Sequence, residues 1–201
     1  MTMESTAGTV TASWSPSNEH RRGSVLILPA LADTAAAYDG IGAILAGAGY
    51  DVCALAEGDD IDTAVTVLGR LPVDRRIPRV VLGSDTGAVT AIRMARTPGI
   101  SLDALVLAGL PGPLNRRDIE AGPGAVPALV VHGALDGEAP SLEARSLTAY
   151  WKAARFVTVA DSAHDVLHGP HHRSVALEVT QFLETVRTGK NPLRVSIRST
   201  W

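Results

Sequence analysis

The sequence predicts an α/β fold: a three-layer sandwich whose mainly parallel, doubly wound sheet carries helices on both faces. Three observations lead there. Continuous apolar runs such as Val25-Leu26-Ile27-Leu28 and Val80-Val81-Leu82 read as strands covered on both sides. Between them fall segments whose apolar residues recur three and four positions apart, the spacing of a helix face. The two kinds alternate along the chain, as a parallel sheet with helical crossovers requires.

The elements follow in order. Residues 9–14 alternate apolar and polar, which predicts an exposed edge strand at the N-terminus. After the strand at 24–28, Asp33-Thr34 is positioned to cap a helix with Tyr38, Ile41 and Leu45 on one face, stopped by Gly47 and Gly49. Residues 51–55 form the next short strand. Asp59 and Asp60 stand as caps before a helix marked by Ile61, Val65 and Leu68. A strand at 79–82 runs through Gly83-Ser84-Asp85-Thr86-Gly87 into a helix over 88–96. Strands follow at 103–108 and 127–132, then a helix from Ser141 holding Leu142, Leu147 and Trp151. A strand at 156–160 precedes a last helix carrying Val175, Val179, Phe182 and Val186. The Gly/Pro-rich stretch 109–126 allows one short helical turn around Asp118-Ile119-Glu120. The tail 190–201 alternates like a strand, suited to packing on its own domain or to pairing in a homodimer.

Composition narrows the functions. The 201 residues suit one domain over 1–201, with its core at about 23–188. The net charge is −3, and the only adjacent basic pairs are Arg21-Arg22, Arg75-Arg76 and Arg116-Arg117. No basic stripe interleaved with aromatics is present, so nucleic acid is not an expected partner. No run approaches the ~20 apolar residues of a membrane span, and the first residues lack the order of a signal peptide. The single Cys53 sits among Val52, Ala54 and Leu55 and reads as a buried core residue of a reducing, cytoplasmic setting. No Gly-x-Gly-x-x-Gly follows the first strand and no phosphate loop is present, so no organic cofactor is expected. His168, His171 and His172 lie close together, but no carboxylate or Cys partner has zinc spacing, so no metal is expected.

Parallel sheets place their sites at the carboxyl ends of strands, and three polar residues fall there in order. Asp85 follows the strand at 79–82 within a Gly-x-nucleophile-x-Gly frame, whose glycines relieve a crowded turn that presents the central side chain. Asp136 lies in His132-Gly133-Ala134-Leu135-Asp136, past the strand at 127–132. His164 lies in Ser162-Ala163-His164, past the strand at 156–160. Read singly, Asp85 also suits a helix N-cap and Asp136 a turn before Gly137.

In this order and placement the chain resembles the α/β-hydrolase superfamily over residues 23–188. Val25-Leu26-Ile27-Leu28-Pro29-Ala30-Leu31, Tyr38 and Ala48-Gly49-Tyr50-Asp51-Val52 are similar to the opening of its small, lidless lysophospholipase-like members. The resemblance implies a catalytic triad of Asp85 as nucleophile, His164 as base and Asp136 as acid. It also implies an oxyanion hole from the backbone N–H groups of Leu31 and Thr86.

The chain departs from the family pattern in four places. An aspartate replaces the usual serine, as in the haloalkane dehalogenase and epoxide hydrolase branches. Those branches carry an aromatic where Thr86 stands. Pro29-Ala30 replaces the family's His-Gly. The stretch 109–126 holds no Tyr and is too short for a lid, and Tyr38, Tyr50 and Tyr150 read as scaffold. The expected function is hydrolysis of a small organic substrate through an aspartyl ester. Two alternatives stand beside it: cofactor-free acid/base lyase, isomerase or cyclase chemistry, and a hydrolase-like protein that only binds.

Overall fold

The structure is a computed structural model describing residues 10–17, 21–31, 33–58, 60–71, 77–112 and 116–189. The strands are β1 (Val10–Trp14), β2 (Gly23–Leu28), β3 (Tyr50–Leu55), β4 (Arg79–Ser84), β5 (Ala104–Ala108), β6 (Ala128–Gly133) and β7 (Ala154–Val159). They form one sheet in the order β1-β3-β2-β4-β5-β6-β7. Every pairing is parallel except that of β1, which runs antiparallel to β3.

The helices are α1 (Asp39–Gly47), α2 (Ile61–Arg70), α3 (Thr86–Arg96), α4 (Arg116–Ala121), α5 (Ser141–Thr148) and α6 (His172–Arg187), with a 3₁₀ turn at Ala35–Tyr38. Because side chains alternate across a strand, β2 serves two cores. Val25 and Ile27 join α1 and α6 on one face, while Leu26 and Leu28 join α2, α3 and α5 on the other. All six residues of β2 are buried, as a strand covered on both sides requires. This is the predicted three-layer sandwich. Among the described residues no helix is long and apolar enough to cross a membrane.

Some local expectations are corrected. Neither Asp33 nor Thr34 caps α1: a 3₁₀ turn intervenes, and the Asp33 carboxylate instead accepts from the Tyr38 hydroxyl at 2.8 Å. At α2 the cap is Asp60, which accepts the Thr63 N–H at 2.8 Å, while Asp59 lies outside the described residues. In α5, Leu142 is 81% exposed rather than core-facing, and Trp151 lies beyond the helix, its indole N–H donating to the Ile119 carbonyl. Tyr38 and Tyr50 are fully buried scaffold residues, but Tyr150 is 89% exposed. Cys53 is buried in β3, and burial pushes its thiol up to about 11, consistent with packing rather than reactivity. The tail 190–201 and Thr9 lie outside the described residues.

Candidate active site

The sheet reverses its direction of winding between β2 and β4, the place where an open α/β sheet leaves a crevice at its carboxyl edge. β2 delivers Pro29, Ala30 and Leu31 to one side of that crevice, and β4 delivers the elbow to the other. Asp85 has φ 47° and ψ −114°, a left-handed conformation that a residue with a Cβ adopts only under compulsion. Its N–H is held by the Ala108 carbonyl at 3.0 Å, and its own carbonyl accepts from Ala88 at 2.9 Å. The flanking glycines are required sterically. A Cβ on Gly83 would strike the backbone of Gly87 and Ala88, and one on Gly87 would strike the carbonyls of Leu28 and Pro29.

The loops after β6 and β7 bring two further predicted residues to this edge. His164 Nδ1 lies 2.7 Å from Asp136 Oδ2, and His164 Nε2 lies 3.5 Å from Asp85 Oδ1. The first is a hydrogen bond. The second is an ion-pair distance, and Nε2 is buried without a hydrogen-bond partner among the described residues. A buried orphan nitrogen facing a half-buried carboxylate is a feature that calls for a functional explanation. Asp85 pushes the His164 imidazole up most, Asp136 adds to the push, and burial opposes both; the result is about 9. The resting arrangement is an imidazolium between two carboxylates.

Asp136 is kept charged although its side chain has no exposure. Burial favours its neutral form, but the donated bonds of Ala139, His164 and Glu138 prevail and hold it below the usual carboxylate range. Oδ1 accepts the N–H groups of Glu138 and Ala139, both at 2.9 Å. A second histidine lies close to Oδ2. Nε2 of the fully buried His132 lies 3.0 Å from Asp136 Oδ2 and 2.7 Å from the Ala139 carbonyl, while its Nδ1 accepts the Leu110 N–H at 3.3 Å. That acceptance assigns the proton to Nε2, and burial keeps the ring neutral despite its polar partners.

The oxyanion stretch has its own anchor. The buried Tyr38 hydroxyl accepts the Ala30 N–H at 3.0 Å and donates to Asp33 at 2.8 Å, fixing the loop where Pro29-Ala30 stands. Leu31 and Thr86 do come together, but the Leu31 N–H is engaged: it donates to Thr86 Oγ1 at 3.1 Å. A cavity of about 180 Å³ opens beside them, lined by Leu28, Pro29, Leu31, Leu55, Thr86 and Thr90 among others. The structure brings the expected residues Asp85, Asp136 and His164 together; the contacts of His132, Tyr38 and the Thr86 hydroxyl were not expected from the sequence. The His-Gly-x-x-Asp spacing was the one local signal for His132.

The family described as TAP-like protein matches residues 110–194, the part of the chain bearing Asp136 and His164. No curated protein matches the sequence. Among solved structures, a soluble variant of monoglyceride lipase from Saccharomyces cerevisiae superposes with TM-score 0.74 at 9% identity, covering 92% of this chain and 98% of that one. The Paleococcus ferrophilus monoacylglycerol lipase gives TM-score 0.71 at 13% identity, covering 87% and 98%. A serine hydrolase involved in carbazole degradation gives 0.69 at 15%, covering 86% and 93%. At such identities the likeness is one of fold. With its elbow, acid loop and histidine loop on the ends of β4, β6 and β7, the chain has the α/β-hydrolase fold.

Proposed function

We propose that the protein is a hydrolase acting on a small organic substrate through an ester on Asp85. The observation that carries this reading is the approach of the elbow carboxylate to His164 Nε2, a buried nitrogen with no hydrogen-bond partner among the described residues, whose other ring nitrogen is tied to Asp136. A carboxylate oxygen of Asp85 attacks an electrophilic carbon, the carbon–leaving-group bond breaks, and the leaving group departs with the electron pair. Esterification removes the charge of Asp85, which is the main reason His164 holds its proton. The imidazolium then passes that proton to the departing group, or to water where that group is a halide, and becomes a base. It takes a proton from water as the water attacks the Asp85 carbonyl carbon, while Asp136 steadies the charge at Nδ1. The ester collapses, and the alcohol leaves with an oxygen that came from Asp85.

The neighbouring cavity supports a small substrate. Its volume is about 180 Å³, and Thr86 and Gly87 of the elbow are among its walls. The negative Asp85 favours a neutral one.

A panel of esters, epoxides and haloalkanes tests this reading. Trypsin cuts after Arg79 and Arg93, releasing residues 80–93, in which Asp85 is the only carboxylate side chain. In a His164→Gln variant the substrate fragment should accumulate on this peptide, and Asp85→Asn should abolish turnover. Turnover that survives Asp85→Asn overturns the nucleophile assignment.

One observation favours a second reading. With Leu31 donating to Thr86 rather than facing open space, the protonated His164 and ionised Asp85 can act as acid and base without a covalent step, in a lyase, isomerase or cyclase reaction. In that case Asp85→Asn still abolishes activity, but no fragment accumulates on residues 80–93.

A further inference from the structure

The residue after an elbow nucleophile contributes a backbone N–H to the developing negative charge in the general scheme. Here that residue also brings a side-chain hydroxyl into the same space. Thr86 Oγ1 accepts the Leu31 N–H at 3.1 Å. A hydroxyl has two acceptor lone pairs and one proton to give, so this bond leaves the proton free. Among the described residues no hydrogen bond from the Thr86 hydroxyl to a protein acceptor is recorded, and Thr86 is exposed at the cavity it shares with Pro29 and Leu31.

We propose that the Thr86 hydroxyl is a catalytic residue: polarised by the Leu31 N–H, it donates to the oxygen that turns negative when the ester on Asp85 is opened. This deepens the aspartyl-ester reading and rests on it. While the Leu31 N–H is spent on Thr86 Oγ1, the two-amide hole expected from the backbone is one donor short. The hydroxyl replaces the missing donor, and accepting a hydrogen bond makes it a better donor in turn. Its β-branched side chain has few rotamers, so it is held ready rather than recruited. The proposal also gives a reason for threonine at this position: valine would keep the shape and lose both bonds.

Two arms test it, with thermal unfolding confirming that each variant is folded. In the first, wild type, Thr86→Ser and Thr86→Val are compared on the ester, epoxide and haloalkane panel. Thr86→Val should lower kcat by roughly 100-fold or more, the usual effect of removing one such donor, with KM nearly unchanged, while Thr86→Ser stays close to wild type. Equal or faster turnover in Thr86→Val overturns the proposal, because the hydroxyl is then idle or a plug.

The second arm needs no turnover by the native site. In an Asp85→Ser background, diethyl p-nitrophenyl phosphate reports on the hole: the introduced serine oxygen bonds phosphorus, p-nitrophenolate leaves, and the serine proton passes to His164. Adding Thr86→Val should slow p-nitrophenolate release and the matching mass gain at least tenfold, and adding Thr86→Ser should not. Equal rates, or no labelling of the Asp85→Ser protein, overturn the proposal. A wild type inert to the whole panel, with this second arm still sensitive to Thr86, sinks the aspartyl-ester reading and leaves the hydroxyl assignment standing.

Discussion

At Asp136 a carboxylate without solvent exposure remains charged because three donors converge on it: two backbone N–H groups and the His164 ring. Removing one partner strands the others, which is costlier than never having had the bond. His132→Leu leaves the Leu110 N–H and the Ala139 carbonyl without their ring partner, so we expect a loss of about 1–3 kcal/mol in denaturant unfolding. An unfolding free energy equal to that of the wild type would contradict this role. Tyr38→Phe leaves the Ala30 N–H unpaired, with an expected cost also of about 1–3 kcal/mol and slower turnover from a loosened loop. Beyond the His-Gly-x-x-Asp spacing around His132, neither residue's contacts were legible in the sequence. His132 meets Leu110 22 positions away, and Tyr38 works through a hydroxyl that a pattern of apolar spacing counts only as bulk.

Among the elements, the strand–elbow–helix unit of β4 and α3 was the most legible, because sterics alone dictate its glycines. Gly87→Ala places a methyl against the carbonyls of Leu28 and Pro29, backbone atoms of a fully buried strand and its exit. We expect Gly87→Ala and Gly83→Ala to destabilise by about 3 kcal/mol or more, at or beyond the top of the usual overpacking range, measured by thermal or denaturant unfolding. A stability within 0.5 kcal/mol of wild type would show that the elbow is looser than described. Helix starts were legible only where a cap was local: Asp60 reaches Thr63 three residues on, whereas the oxygen of Asp33 is taken by Tyr38. The core-facing spacing of α6 (Val175, Val179, Phe182) was legible because its helix crosses a whole sheet face. Leu142 misled because a single exposed leucine carries no signature of its own.

Over the whole molecule, the order of strands and helices fixed the three layers, and the site followed from where the parallel strands end. Coupling between site and fold shows in pH. The folded His164 is raised from 6.5 to about 9, so the stability its ion pairs contribute is complete below pH 6.5 and is lost as pH rises through 9. Asp136 is depressed below 3.8, so its contribution is present above that value and is lost as pH falls through its folded value. The Tm difference between wild type and His164→Gln should therefore be largest between about pH 4 and 6.5 and shrink towards pH 9. A difference that grows with rising pH would contradict the imidazolium assignment.

A covalent bond between Asp85 and substrate leaves an oxygen signature. Repeated turnover of an epoxide or haloalkane in ¹⁸O-water, followed by trypsin, should place the label on residues 80–93, where Asp85 holds the only side-chain carboxylate. Turnover that puts the label in the product alone, leaving that peptide at its natural mass, would rule out the aspartyl ester.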